Sequence, residues 1–264
     1  MKRISALLRQ TCRFWYGLSL VLAMCAGAET ASKLASSDIT QPDFFPILPW
    51  SPYHGWTKPF IEDRPSGLES IAECNFNMAG FVFRRDLRLC EKLGLGAILL
   101  PVDDADTSPS YRREWKKLSD EEIERRIKQI IRASGKSPAI KGYFIMDEPG
   151  VADFPALARA VAAVKQHAPG KLAYINPFPN YATLGAPNMS QLGTSNYTEY
   201  LERFVTEVKP QVISYDNYMV QFSDDLRNPD KAASYYHNLL EVRRVLPQAL
   251  EIFDKDVSRL RRNY

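Results

Sequence analysis

Apolar residues in this chain fall into short runs that alternate with stretches of helical period. Residues 44–50, 77–82, 96–102, 143–146, 171–176 and 211–216 are compact apolar runs bounded by proline, glycine or polar residues, the pattern of buried strands. Between and after them, residues 67–75, 85–93, 119–134, 154–167, 197–209 and 229–246 read as helices. Ser119 and Glu122 have the spacing of a capping box, Gly94 closes the helix 85–93, and Pro169 with Gly170 ends the alanine-rich helix 154–167. Six strand–helix units in strict alternation predict an α/β fold with a parallel sheet. No Gly-rich phosphate loop follows the first strand, which disfavours a dinucleotide-binding domain. A (β/α)8 TIM-type barrel fits better, although that fold normally has about eight units. After the sixth helix the chain offers one more strand, 249–253, and a charged stub. The expectation is a barrel incomplete in its last one or two units.

The first 28 residues break this pattern. Lys2, Arg3, Arg9 and Arg13 make a basic start, and residues 14–28 are apolar and end in Ala26, Gly27 and Ala28. That is the layout of a secretory signal peptide. The run is too short, and too interrupted by Gly17 and Ser19, for a membrane span. Cys25 raises a lipoprotein alternative, against which stands the bulky Met24 before it. Residues 29–42 are rich in Ser, Thr and Ala and read as a linker, so the barrel domain is 43–264. A secreted or periplasmic location follows, with no stable membrane span once the leader is cleaved.

The leader also changes the charge argument. The whole chain has 34 basic and 31 acidic residues, a net charge of +3; without the four basic residues of the leader the balance is −1. No nucleic-acid partner is expected. Cys74 and Cys90 lie beyond the leader in expected helices and read as small buried thiols rather than a required disulfide. His54, His167 and His237 have no metal-ligand spacing with them. No metal and no cofactor is expected.

Candidate chemistry gathers at strand ends. The apolar run 143–146 stops abruptly at Asp147, Glu148, Pro149 and Gly150. Two carboxylates at the carboxyl end of a buried strand are costly unless used or paired. In a β/α barrel, that end of the strands carries the catalytic groups. The same mouth would receive Trp50, Tyr53, His54 and Trp56, then Asp103 and Asp104, then Asn176, Phe178 and Tyr181, then Asp216, Asn217 and Tyr218. Aromatic faces stack on sugar rings while Asp and Asn bind hydroxyls, so this mixture suits a carbohydrate. Plainer readings stand beside it. Asp147 and Glu148 could be a charge pair ahead of the helix 154–167, Asp103 and Asp104 a turn and cap pair, and the Trp50–Trp56 cluster loop packing. Tyr235, Tyr236 and His237 read as a packing face of the last helix. The run 121–126 reads as a solvated face with i,i+4 pairs.

The stretch Gly142, Tyr143, Phe144, Ile145, Met146, Asp147, Glu148, Pro149 resembles the fourth-strand motif of the retaining β/α-barrel glycoside hydrolases, the clan that includes the family 42 β-galactosidases and many cellulases. That motif usually reads Asn-Glu-Pro, with its Glu as acid/base. The resemblance therefore implies that Glu148 is the catalytic acid/base and that Asp147 stands where the clan's Asn binds the sugar 2-hydroxyl. The clan's nucleophile, a Glu ending the seventh strand, has no clear counterpart: Glu251 falls near the middle of 249–253 and Glu241 lies inside the sixth helix. The implied function is hydrolysis of O-glycosidic bonds in an oligo- or polysaccharide. Trp50, Tyr53, His54, Trp56, Asp147, Asn176, Asp216, Asn217 and Tyr218 would bind the substrate. Two alternatives stay open: a carbohydrate-binding barrel that has lost its nucleophile, and a metal-dependent hydrolase or deacetylase built on His54, Asp103 and Asp104. Oligomeric state is left open.

Overall fold

The computed structural model describes residues 45–50, 67–100, 115–182, 190–218, 224 and 227–245. Its centre is a four-stranded parallel sheet of β1 (Met78–Val82), β2 (Gly96–Leu99), β3 (Ile140–Asp147) and β4 (Leu172–Asn176) in the order β1-β2-β3-β4. Each strand lies beside its neighbour in sequence. The helices are α1 (Leu68–Glu73), α2 (Leu87–Leu93), α3 (Asp120–Ser134), α4 (Phe154–His167), α5 (Tyr197–Arg203) and α6 (Pro229–Val245). Parallel strands need such crossovers, because a tight turn cannot reverse the chain twice.

Local chemistry explains most of these boundaries. The Ser119 side chain accepts the Glu122 N–H at 3.2 Å and the Glu122 carboxylate accepts the Ser119 N–H at 2.8 Å, so both halves of the expected capping box close. Gly94 ends α2 in the left-handed region at φ 72°. In α4, Phe154, Leu157, Ala160, Val161 and Val164 recur at helical spacing and are all buried. Each full burial of a large apolar side chain contributes about 1.5–3 kcal/mol, which makes this stripe the anchor of the helix layer. Helix α5 widens into a π-helical turn, Phe204–Val208, that ends at Lys209.

The two faces of the sheet differ. Ala79, Val82, Ala97, Leu99, Tyr143, Ile145, Ala173 and Ile175 face the helices and join one large core with α2, α3, α4 and α5. Met78, Phe81, Ile98, Phe144 and Leu172 form a second, smaller cluster with Leu48, Leu100 and Tyr174. Among the described residues this second cluster contains no helix residue.

Both expected outer strands are corrected. Residues 45–50 run beside β1 but form no regular strand. Ile47 O accepts the Met78 and Asn77 N–H groups, and the Asn77 side chain bonds Ile47 N–H and Phe45 O in place of a continued ladder. Pro46 and Pro49 lack the N–H groups a ladder needs. Residues 211–216 likewise flank β4 through side chains: Gln211 Oε1 accepts the Ala173 N–H and Ser214 Oγ donates to Ile175 O. Polar side chains that bond backbone directly displace a strand ladder.

Three smaller expectations also change. Cys74 is exposed just after α1, while Cys90 is buried, and both thiols are free. Burial pushes the Cys90 thiol up to about 12. Tyr236 and His237 are exposed rather than packed. Trp115, in the polar stretch 105–117 that reads from the sequence as a loop, is fully buried and its indole N–H donates to Ile145 O at 3.0 Å.

Candidate functional site

A bulge decides where the acidic pair points. Along β3, Phe144 faces the small inner cluster and Ile145 faces the helices. Strict alternation would turn Met146 inward and Asp147 outward. Instead the register with β4 shifts between Phe144 and Met146, which pairs Met146 with Ile175 and Asp147 with Asn176. Met146 packs with the helix-side core, and the Asn176 amide donates to Asp147 Oδ1 at 3.1 Å. Bulges often re-aim a side chain in this way beside a functional site.

Asn176 is the hub of this corner. It is buried, its carbonyl accepts the Glu148 N–H at 2.7 Å, and its Oδ1 accepts from Ser214 Oγ at 2.9 Å. Glu148 itself has φ 45°, the left-handed region that a residue with a side chain seldom enters. Strain of that kind, about 1–3 kcal/mol, is tolerated where surrounding structure over-determines the backbone. Here the Asn176 carbonyl holds one side, and Tyr200 Oη donates to Pro149 O at 2.7 Å on the other.

Electrostatics bring the other groups together. The Tyr218 phenol is raised above its ordinary value by burial and then by the charges of Asp216, Asp147 and Glu148. The Tyr181 phenol is raised by burial, with Asp216 and Glu148 adding to it against the bond from the Tyr218 N–H. Tyr174, on the inner face, is raised by burial, with Asp216 and Asp147 adding and a bond to Ser214 opposing. Three carboxylates thus act on Tyr218, and two of them on each of Tyr181 and Tyr174. The Tyr218 N–H donates to Tyr181 Oη at 2.6 Å, which sets the Tyr181 phenol against the Tyr218 backbone, and both side chains are exposed.

Trp50 lies across the inner face from this corner. It is 42% exposed and packs edge-on against Phe81 at 4.9 Å and Phe144 at 6.5 Å between ring centres. Phe81 and Phe144 in turn contact Tyr174. One aromatic floor therefore joins Trp50 to Tyr174, whose phenol feels the charges of Asp216 and Asp147. Asn217 is partly buried and bonds Asn238 rather than standing free. Phe178, offered as a strand-end candidate, is buried against Tyr200 in the helix-side core. Tyr53, His54, Trp56, Asp103, Asp104 and Glu251 lie outside the described residues. Glu241 lies on α6, with His237 at 3.6 Å and Asn180 at 3.4 Å. Among the described residues, no three His, Cys, Asp or Glu side chains are grouped to hold a metal ion.

Sequence reasoning missed Ser214, Tyr174 and Asn238. Serine and asparagine in an exit segment or a helix carry no local signal, since their partners come from other elements. The fold and the corner together define an α/β protein with a parallel sheet and an acidic, phenol-lined strand-end site. No family model, no curated protein and no solved structure matches this chain.

Proposed function

We propose that the chain is a glycoside hydrolase of β/α-barrel architecture, with Glu148 as general acid/base. Asp147, Asn176, Asp216, Asn217 and Tyr218 would orient the sugar, and Trp50, with Tyr53, His54 and Trp56 of the same segment, would offer a stacking surface. The observation that carries the reading is the strained Glu148 beside an inward-turned Asp147 at the end of a buried parallel strand. The barrel is supported by the sheet's consecutive order and by helix residues joining the core on one of its faces, since a doubly wound sheet carries helices on both. The basic-then-apolar leader of residues 1–28 supports a secreted or periplasmic location, where an oligo- or polysaccharide is the substrate. Glycoside hydrolysis needs a second carboxyl group, about 5–5.5 Å away for retention or 6.5–9.5 Å for inversion, and that role is unassigned.

A non-catalytic carbohydrate-binding protein is the second reading, favoured by the helical, hydrogen-bonded position of Glu241. Hydrolysis of a panel of aryl glycosides and oligosaccharides by the full chain and by Glu148→Gln separates the two. The enzyme loses about 10²–10⁴ of its rate with binding retained. Binding in both proteins with turnover in neither establishes the second reading. Equal turnover by Glu148→Gln removes Glu148 from the chemistry.

A further inference from the structure

Two segments border the phenol side of the corner. One is the turn after β4, which carries Asn180 and Tyr181; the other is 211–218, which carries Asp216, Asn217 and Tyr218. They meet at the Tyr218 N–H to Tyr181 Oη bond. Behind that contact, a single side chain on α6 reaches both. Asn238 is fully buried, and its Oδ1 accepts the Asn180 N–H at 3.0 Å and the Asn217 amide at 3.2 Å. Its Nδ2 donates to Tyr197 Oη at 3.2 Å, and Tyr197 Oη donates to Phe178 O at 3.0 Å. The neighbouring Tyr200, stacked on Tyr197 at 6.0 Å, continues the chain by accepting the Phe178 N–H and donating to Pro149 O.

A buried asparagine in a helix is costly unless its amide is used. Here both lone pairs of the carbonyl and one of two N–H groups are used, each toward a different element. No other neutral side chain of that size offers a double acceptor and a donor on one rigid plane. An aspartate would place a second charge one turn from Glu241, and a leucine would leave the Asn180 N–H unsatisfied.

We propose that Asn238 is a positioning residue: its amide clamps the Asn180–Tyr181 turn to the Asn217–Tyr218 segment and so fixes the Tyr181–Tyr218 wall beside Asp147, Glu148 and Asp216. The bearing of that wall on a sugar rests on the glycoside reading above. Without the clamp the wall moves relative to the acidic pair, ligand binding weakens, and the chemical groups themselves are unaltered.

Backbone amide exchange on the full chain tests the clamp without any ligand. In Asn238→Ala, exchange at Asn180 and Tyr218 rises by about tenfold, while the amides of α4 keep their protection. Asn217→Ala, which cuts one arm at a partly exposed position, raises exchange at Tyr218 and spares Asn180; it decides the matter if Asn238→Ala does not fold. On an aryl glycoside cleaved by the parent, Asn238→Ala raises KM by about tenfold and leaves kcat within about threefold, since binding is lost without loss of chemistry. Unchanged exchange at Tyr218 in both variants, or an equal fall in kcat with KM unchanged, overturns the proposal and leaves the glycoside reading standing. A parent chain that neither binds nor cleaves any glycoside overturns that reading instead, and faster exchange at Tyr218 still establishes the clamp.

Discussion

Glu148 holds a left-handed backbone that costs a residue with a side chain about 1–2 kcal/mol. Glycine would adopt the same angle without that cost. Glu148→Gly is therefore expected to match the parent in urea denaturation, or exceed it by up to about 1 kcal/mol, while losing hydrolysis. A variant less stable by more than about 1 kcal/mol would show that the carboxylate supports the fold, and the strain argument would fall. At this scale the sequence was informative about type and position. Two carboxylates closing an apolar run are visible as an anomaly in the sequence. Their direction was not, because it depends on the bulge between Phe144 and Met146, opposite Tyr174 and Ile175. Ser214 and Asn176 meet across 38 residues, and no local pattern marks such a pair.

At the scale of elements, α3 and α4 are joined by a charged contact. Glu124 Oε1 lies 2.6 Å from Lys128 Nζ and 3.1 Å from His167 Nε2 at the end of α4. Bonds from Lys128 and then His167 hold the Glu124 carboxyl below its ordinary value of 4.5. A carboxyl lowered by folding contributes stability that is present above its unfolded value and lost as pH falls through the folded one. Thermal unfolding of the parent and of Glu124→Gln should therefore differ at neutral pH and converge progressively as the pH falls below 4.5, with the parent the more stable at the higher pH. A constant difference across that range would place the effect outside the carboxylate's ionisation. The cap at Ser119 was readable from the sequence, whereas Lys128, the i,i+4 partner of Glu124, lies just beyond the run 121–126. The outer strands were misread because prolines and side-chain bonds, rather than hydrophobic period, govern residues 45–50 and 211–216.

Over the whole molecule, buried phenols tie the elements together. Burial raises Tyr197, Tyr200 and Tyr215, the last to about 12. A phenol raised by folding stays neutral inside the protein, so its contribution is complete below the unfolded value near 10 and is lost as pH climbs toward 12. Phenolate absorbance and circular dichroism, followed together from pH 9 upward, should show the most resistant tyrosines ionising only as structure is lost. Ionisation of every tyrosine near 10 with the spectrum of the fold intact would mean that these side chains are not buried as described.

The sequence by itself determined what depends on residues a few positions apart. The four central strands, the helices between them, the capping box of α3 and the acidic close of β3 all follow from hydrophobic period and local caps. Only the tertiary structure decided what depends on distant partners. Strand pairing turned Asp147 inward toward Asn176, which lies 29 residues on. Packing withdrew Trp115 into the core. The clamp of Asn238 on Asn180, across 58 residues, exists only because α6 returns to the exit of β4. Such contacts arise when chain segments far apart in sequence exclude water together, and no single segment carries their signature.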